Sequence, residues 1–170
     1  TWDQQDPLIC RDGTRGYYIG FTDGGGNGTA KIKVQRVDSA GYNLWQNNGL
    51  MVSPIANWGY FLRALISNDN GGVYVCWTND ISGSDEIKVQ QLDENGLPVW
   101  GSSMLIYGGQ INQRGYDEKF VADGKGGIIA AWGWDHNQLG GSDYIYCQRI
   151  DSNGNKLWGV NPVIVSSTSV

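Results

Sequence analysis

The chain has 170 residues, of which 40% are apolar, 12% aromatic and 17% charged, and its formal net charge at pH 7 is -5. This length favours one domain with a sizeable core over two unrelated domains. The acidic balance excludes nucleic acid as an expected partner, because phosphate backbones repel negative charge. No run approaches the roughly 20 apolar residues of a membrane-spanning helix, so no direct membrane insertion is expected.

One sequence pattern occurs three times, at residues 32–45, 87–100 and 145–158. Each copy reads apolar, x, apolar, Gln, x, apolar, Asp, x, x, Gly, x, x, apolar, Trp. Alternating apolar and polar residues predict a strand, and Asp and Gly predict a tight turn after it. The structural residues of the repeat are Asp38, Gly41, Trp45, Asp93, Gly96, Trp100, Asp151, Gly154 and Trp158.

The similarity extends upstream of this pattern and divides the chain into residues 1–56, 57–112 and 113–170. Each unit has a polar turn, then an apolar strand that ends in Phe21, Trp77 or Trp132. A short strand before the turn and another after the repeated Trp complete four antiparallel strands in each unit. These short strands are predicted at 8–11, 64–67 and 119–122 and at 50–52, 105–107 and 163–165.

The strand that follows the polar turn is apolar or small on both faces. An inner strand of a propeller blade needs this composition, because a neighbouring blade covers each face. We therefore predict an all-β, β-propeller-like domain over residues 1–170, with three four-stranded antiparallel blades in an incomplete ring. A β-trefoil, which also has three repeats of four strands, is the alternative.

The combined pattern resembles the propeller-type repeats of large secreted and surface proteins of bacteria. It reads Asp-Gly-x-Gly-Gly, apolar strand ending in Trp, Asp-containing loop, Ile-x-x-Gln-Arg-apolar-Asp-x-x-Gly-x-x-Leu-Trp, and residues 123–158 carry it most fully. The resemblance implies an extracellular or cell-surface location, although residues 1–3 are not expected to begin a signal peptide. The expected function is a non-enzymatic interaction and assembly scaffold. A carbohydrate-binding, lectin-like propeller is the alternative, and a glycoside hydrolase ranks third.

Three blades are too few to close a ring, since propellers have about four to eight. Other copies of the chain, other chains or a longer polypeptide would complete it, and the sequence leaves these possibilities open. The isolated chain is therefore not expected to be a stable monomer.

The loops between the second and third strands differ in length, at 22–31, 78–86 and 133–144, whereas the other turns do not. Irregular loops on a rigid frame often carry function, so their rim is the candidate ligand-binding face. Aromatic rings beside acidic side chains suit glycans or a protein partner. Alternatively, the tryptophans seal adjacent blades. The candidate residues are Trp2, Trp58, Tyr60, Asp80, Tyr116, Trp134, Asp135 and His136.

The sequence contains only weak matches to catalytic and metal-binding motifs. No nucleophile motif accompanies His136, and no spacing singles out the carboxylate pair of a glycosidase. No cofactor is expected except possible calcium, for which oxygen ligands would come from Asp80, Asp85, Asp135 and Asp143. Cys10, Cys76 and Cys147 lack metal-site spacing and are interpreted as small apolar residues, with disulfide pairing left open.

Overall fold

The computed structural model describes residues 3–25, 29–53, 59–68, 70–80, 83–136 and 144–167. Their regular structure consists of strands alone. The described residues contain no helix that is long and apolar enough to span a membrane. The strands are Asp3–Arg11 (β1), Tyr17–Gly25 (β2), Thr29–Val37 (β3), Leu50–Met51 (β4), Tyr60–Ser67 (β5), Val73–Asp80 (β6), Asp85–Leu92 (β7), Met104–Gly108 (β8), Arg114–Ala122 (β9), Ile128–Asp135 (β10), Tyr144–Ile150 (β11) and Val163–Ser167 (β12).

Each repeat forms one four-stranded antiparallel sheet in chain order: β1 to β4 (blade 1), β5 to β8 (blade 2) and β9 to β12 (blade 3). The predicted all-β, propeller-like class with three blades is confirmed. The trefoil alternative is wrong, because every sheet contains strands of a single repeat, whereas a trefoil barrel combines strands from all three.

Blade 2 lies between the other two and is buried on both faces. Val73, Val75 and Trp77 of β6 belong to an apolar cluster shared with blade 1. Tyr74 and Cys76, on the opposite face of the strand, belong to a cluster shared with blade 3. All five side chains are fully buried. The doubly apolar strand of the sequence thus follows from stacking on both sides.

The turn between the third and fourth strands has the same construction in each blade. Asp38 Oδ1 accepts hydrogen bonds from the backbone N–H groups of Ala40 and Tyr42 at 2.8 and 2.9 Å. Gly41 has a φ of 86°, in the left-handed region that favours glycine. Asp93 and Asp151 accept the same two bonds, and Gly96 and Gly154 have the same backbone conformation.

The Gln that recurs in the pattern forms hydrogen bonds to the returning chain in blades 1 and 3. Gln148 Oε1 accepts hydrogen bonds from the N–H groups of Arg149 and Trp158, and its Nε2 donates to the Gly159 carbonyl at 3.0 Å. Gln35 forms the equivalent bonds in blade 1. A buried amide that is satisfied in this way fixes the position of the Trp that follows.

The strand order places different connections on the two rims of the domain. The turns after the first and third strands are adjacent on one rim, where a Cβ on Gly16 would lie 2.3 Å from the Val37 carbonyl oxygen. The opposite rim carries the starts of β1, β5 and β9 and the ends of β2, β6 and β10. Because β5 contacts both β1 and β9, the first strands form the inner edge of the stack.

All three cysteines are free thiols. Cys76 is fully buried between blades 2 and 3, and this burial raises the pKa of its thiol. Burial also raises the pKa of Cys10, to about 11, so neither thiol is poised as a thiolate at neutral pH.

Candidate active site

The structure buries two of the predicted aromatic residues, Tyr60 and Trp134. Trp2 and Trp58 lie outside the described residues. Tyr60 is 3% exposed in the cluster between blades 1 and 2, and Trp134 is fully buried with its indole N–H donating to Gln113 Oε1 at 2.8 Å. The expectation of exposed aromatic faces is therefore wrong at Tyr60 and Trp134. Large apolar rings at these positions fill the junctions between blades.

The remaining candidates have partners on the loop rim. Asp80 Oδ1 accepts a hydrogen bond from the Gly83 N–H at 3.1 Å and is half-buried. His136 Nε2 lies 3.0 Å from Tyr146 Oη. Tyr116 is half-buried on β9, and Asp135 is 1% exposed at the end of β10.

For metal binding, no group of three or more acidic, histidine or cysteine side chains within the described ranges could hold an ion. Asp143, one of the possible calcium ligands, lies outside these ranges.

Two buried carboxylates come together at the junction of blades 2 and 3, and the first is Asp85. This residue begins β7 and is 8% exposed, and its Oδ2 accepts the Gly115 N–H at 2.9 Å. Burial raises the pKa of Asp85 above its usual range. The nearby carboxylates of Asp80 and Glu118 act in the same direction, while the Gly115 N–H and Arg114 oppose them.

The second carboxylate, Glu118, projects from an irregular part of β9. Tyr116 pairs with Gly133 and Lys119 pairs with Ala131, so two residues of β9 oppose one residue of β10. Register shifts also occur in β1 and β5, so a bulge recurs in the first strand of every blade, and in β9 it redirects the Glu118 side chain. Glu118 could not be predicted from the sequence, because a bulge is not visible in an alternation pattern.

Glu118 is charge-paired within the junction. Its Oε2 lies 3.3 Å from Arg63 Nε, and its Oε1 accepts a hydrogen bond from Thr78 Oγ1 at 3.1 Å. Arg63 also donates to that hydroxyl at 3.0 Å. The Glu118 side chain is only 3% exposed, so the guanidinium is its main compensating charge.

Gly115 fixes the spacing of the two carboxylates. A Cβ on this residue would lie 3.2 Å from Glu118 Oε1 and 2.9 Å from Trp134 Cζ3. Since the Gly115 N–H also bonds Asp85, the facing oxygens of Asp85 and Glu118 are at most about 9 Å apart, by standard backbone dimensions. Any larger residue at position 115 would disturb both acids.

Further polar groups surround this acid pair. Ser84 Oγ, next to Asp85, and Asn79 Oδ1 are both buried. Neither atom has a hydrogen-bond partner among the described residues. Asp117, next to Glu118, is exposed and has a φ of 54°, and Asp6 repeats both features in blade 1. The left-handed Asp therefore recurs with the bulge of the repeat, whereas a buried polar atom without a partner calls for a separate explanation.

A group of aromatic side chains lies on the same rim of blade 3. Tyr144 and Tyr146 stack at 5.7 Å with an interplanar angle of 20°, and His136 meets Tyr144 edge-on at 5.1 Å. Tyr107 of blade 2 packs against Trp134 at 4.8 Å, and Trp134 in turn contacts Gly115. The aromatic group is therefore joined to the acid pair through Trp134.

No family model matches the chain, and no curated protein sequence matches it. Among solved structures, an endo-arabinase from Bacteroides thetaiotaomicron VPI-5482 is similar, with a TM-score of 0.60 and 14% sequence identity. The likeness covers 96% of this chain and 63% of the endo-arabinase chain, so this chain spans less than two thirds of that protein. The likeness shows a shared propeller-type fold.

This finding corrects the functional expectation drawn from the repeats. The structural neighbour is a carbohydrate-processing enzyme, so the expectations of a non-enzymatic scaffold and of no enzymatic activity are wrong. Repeats of this kind specify how blades stack, and that information does not extend to the chemistry of the rim.

Proposed function

We propose that this chain is a carbohydrate-processing propeller of the glycoside hydrolase type, with Asp85 and Glu118 facing one glycosidic bond. The observation that carries the proposal is the pair of buried carboxylates within about 9 Å and in opposite environments. Paired titratable groups with divergent surroundings are the usual arrangement for an acid and its partner base. The similarity to an endo-arabinase supports the reaction class.

The environment of each acid assigns its role. Burial keeps Asp85 protonated to higher pH, so Asp85 is the general acid that gives its proton to the leaving glycosidic oxygen. Glu118, paired with the Arg63 guanidinium, takes a proton from the water that attacks the anomeric carbon, or attacks that carbon itself. In both routes water is consumed, and its oxygen ends on the anomeric carbon.

The separation of the two carboxylates decides between these routes. Separations of roughly 5 to 5.5 Å accompany retention of the anomeric configuration, and roughly 6.5 to 9.5 Å accompany inversion. The anomer of the first product, followed by NMR as hydrolysis starts, therefore tests which route operates.

Neutral polysaccharides are the proposed substrate class. A net charge of -5 disfavours acidic polymers. Arabinan is the first polymer to test, in view of the structural neighbour. An extracellular or cell-surface location, as the repeat pattern implies, agrees with such a substrate.

The decisive experiment is release of reducing sugar from arabinan and other neutral polysaccharides. We expect Asp85→Asn and Glu118→Gln each to lower kcat by about 100-fold or more, as loss of a general acid or base does, while KM changes little. Glu94→Gln, which changes an exposed acid on the opposite rim, is the matched control. Circular dichroism checks the fold of each variant. Glycan binding without hydrolysis, or equal rates in all four proteins, would contradict the proposal.

A further inference from the structure

The junction between blades 1 and 2 contains a specific contact made by the repeated Trp. Trp45 Nε1 donates a hydrogen bond to the Glu94 carbonyl of blade 2 at 3.1 Å, and Arg36 Nη1 donates to the same oxygen at 2.9 Å. The Trp45 ring lies over Gly96, where a Cβ would be 3.2 Å from Cε2. The Trp of one blade thus covers the glycine turn of the next.

The junction between blades 2 and 3 repeats this contact. Trp100 Nε1 donates to the Ser152 carbonyl at 3.1 Å. The ring covers Gly154, whose Cβ would lie 3.2 Å from Cε2. The chain therefore shows twice, in the same geometry, how one blade of this repeat recognises the following one.

The Trp of the contact is also present on blade 3 and its glycine turn on blade 1, where neither has such a partner among the described residues. Trp158 of blade 3 is 39% exposed, and its indole N–H has no hydrogen bond to any described residue. Gly41 of blade 1 has the same left-handed backbone as Gly96, but nothing lies within 4 Å of a Cβ placed there. Ser39, which corresponds to Glu94 and Ser152, is exposed.

The surfaces beside these two half-contacts are apolar. On blade 1, Ile9 is 66% and Tyr17 is 40% exposed, although the corresponding Leu65 and Val73 of blade 2 are buried against blade 1. On blade 3, Val121 is 57% and Ile145 is 40% exposed. Exposed apolar residues grouped in this way mark interaction surfaces.

We infer that blade 3 of one chain binds blade 1 of a second copy, with Trp158 covering Gly41 and donating to the Ser39 carbonyl of that copy. Each copy carries both halves, so two copies form two such contacts and enclose six blades. Six lies within the roughly four to eight blades of closed propellers, and such closure leaves no open face. Arg149, which corresponds to Arg36, would add a bond to the same carbonyl.

One connection within the chain is missing from the inferred contact. The Tyr18 and Tyr74 hydroxyls donate to the Gly71 and Gly126 carbonyls of the following blades. The corresponding positions at the open ends are Ile129, which has no hydroxyl, and Arg15, whose backbone does not have the positive φ of Gly71 and Gly126. The contact between copies is therefore weaker than the contacts within a chain, and the dimer dissociates measurably.

The mass of the purified chain in solution tests the inference. Sedimentation equilibrium over micromolar concentrations should show a species of twice 18.6 kDa. Trp158→Ala should raise the dimer dissociation constant at least tenfold, as loss of a central interface Trp does. Ile9→Glu should have a similar effect, because it places a charge in the apolar face. Leu97→Ala, at a 63% exposed position of a blade 2 turn, is the control and should not change it.

Mixing the two weakened variants tests the head-to-tail arrangement. A mixed dimer of Trp158→Ala with Ile9→Glu has one contact with both changes and one intact contact, so mixing should restore part of the association. A monomeric wild-type chain overturns the inference, and so does a dimer that survives Trp158→Ala or fails to recover on mixing. These outcomes do not depend on any hydrolytic activity.

Discussion

Arg149 and Asp123 form an ion pair in blade 3, with Nη2 2.7 Å from Oδ2 and the carboxylate almost fully buried. Arg36 and Asp12 form the same pair in blade 1. Blade 2 has Gln91 and Asn68 at these positions, so both partners change together. Burial alone would raise the pKa of Asp123, but hydrogen bonds from the Lys125 N–H, Arg149 and the Gly127 N–H outweigh it and lower the pKa.

The first prediction concerns this exchange. Asp123→Asn should lower the free energy of unfolding by about 2 to 3 kcal/mol, because a partly buried guanidinium loses its counter-charge. The double variant Asp123→Asn, Arg149→Gln reproduces the blade 2 pair and should recover to within about 1 kcal/mol of wild type. Urea denaturation of the three proteins gives the coupling energy. Additive losses would contradict this interpretation.

The second prediction is the pH dependence of stability. Because the pKa values of Asp12 and Asp123 are lowered on folding, their contribution is present above the unfolded value of roughly 3.9 and is lost as the pH falls below it. Denaturant unfolding between pH 6 and pH 2 should show this loss. Asp123→Asn should flatten the curve in that range, whereas a variant with an unchanged slope would argue against the ion pair.

The third prediction concerns the pH dependence of catalysis and follows from the proposed function. Since burial raises the pKa of Asp85, loss of its proton should set the basic limb of the kcat profile. Asp85→Asn should remove that limb and keep the acidic one. A basic limb that persists in Asp85→Asn would assign the acid to another residue.

The fourth prediction compares two glycines with the same backbone conformation. Gly154 and Gly41 have φ values of 83° and 86°, so Ala at either position costs roughly 1 to 2 kcal/mol of backbone strain. Only Gly154 lies under a Trp of its own chain. Gly154→Ala should therefore be about 1 kcal/mol more destabilising than Gly41→Ala, when both are measured in the Trp158→Ala background. Equal losses would show that the Trp contact contributes nothing.

The fifth prediction restores the missing connection between copies. Ile129→Tyr with Arg15→Gly supplies the hydroxyl and the glycine turn that the inner junctions have. The double variant should dimerise about 30-fold more tightly, because each of the two contacts gains one neutral hydrogen bond of about 1 kcal/mol. Each single variant should show a smaller gain, and sedimentation equilibrium measures all three.

The sequence predicted the frame well because the relevant interactions are local. Asp38 and Gly41 form their turn within five residues, and strand alternation reports burial directly. The residues of the candidate active site could not be predicted from local interactions. Glu118 and Arg63 occupy different repeats and meet only through a bulge and the stacking of blades 2 and 3. Neither residue belongs to a recognisable motif.

Three four-stranded blades follow from the amino-acid sequence alone, since each blade depends on contacts within about 55 residues. The stacking of the blades sets which acids are adjacent, buries Trp134, and leaves Trp158 and Gly41 exposed at opposite ends. Burial and electrostatic coupling between blades depend on distances in three dimensions, and a repeat pattern contains no such distances.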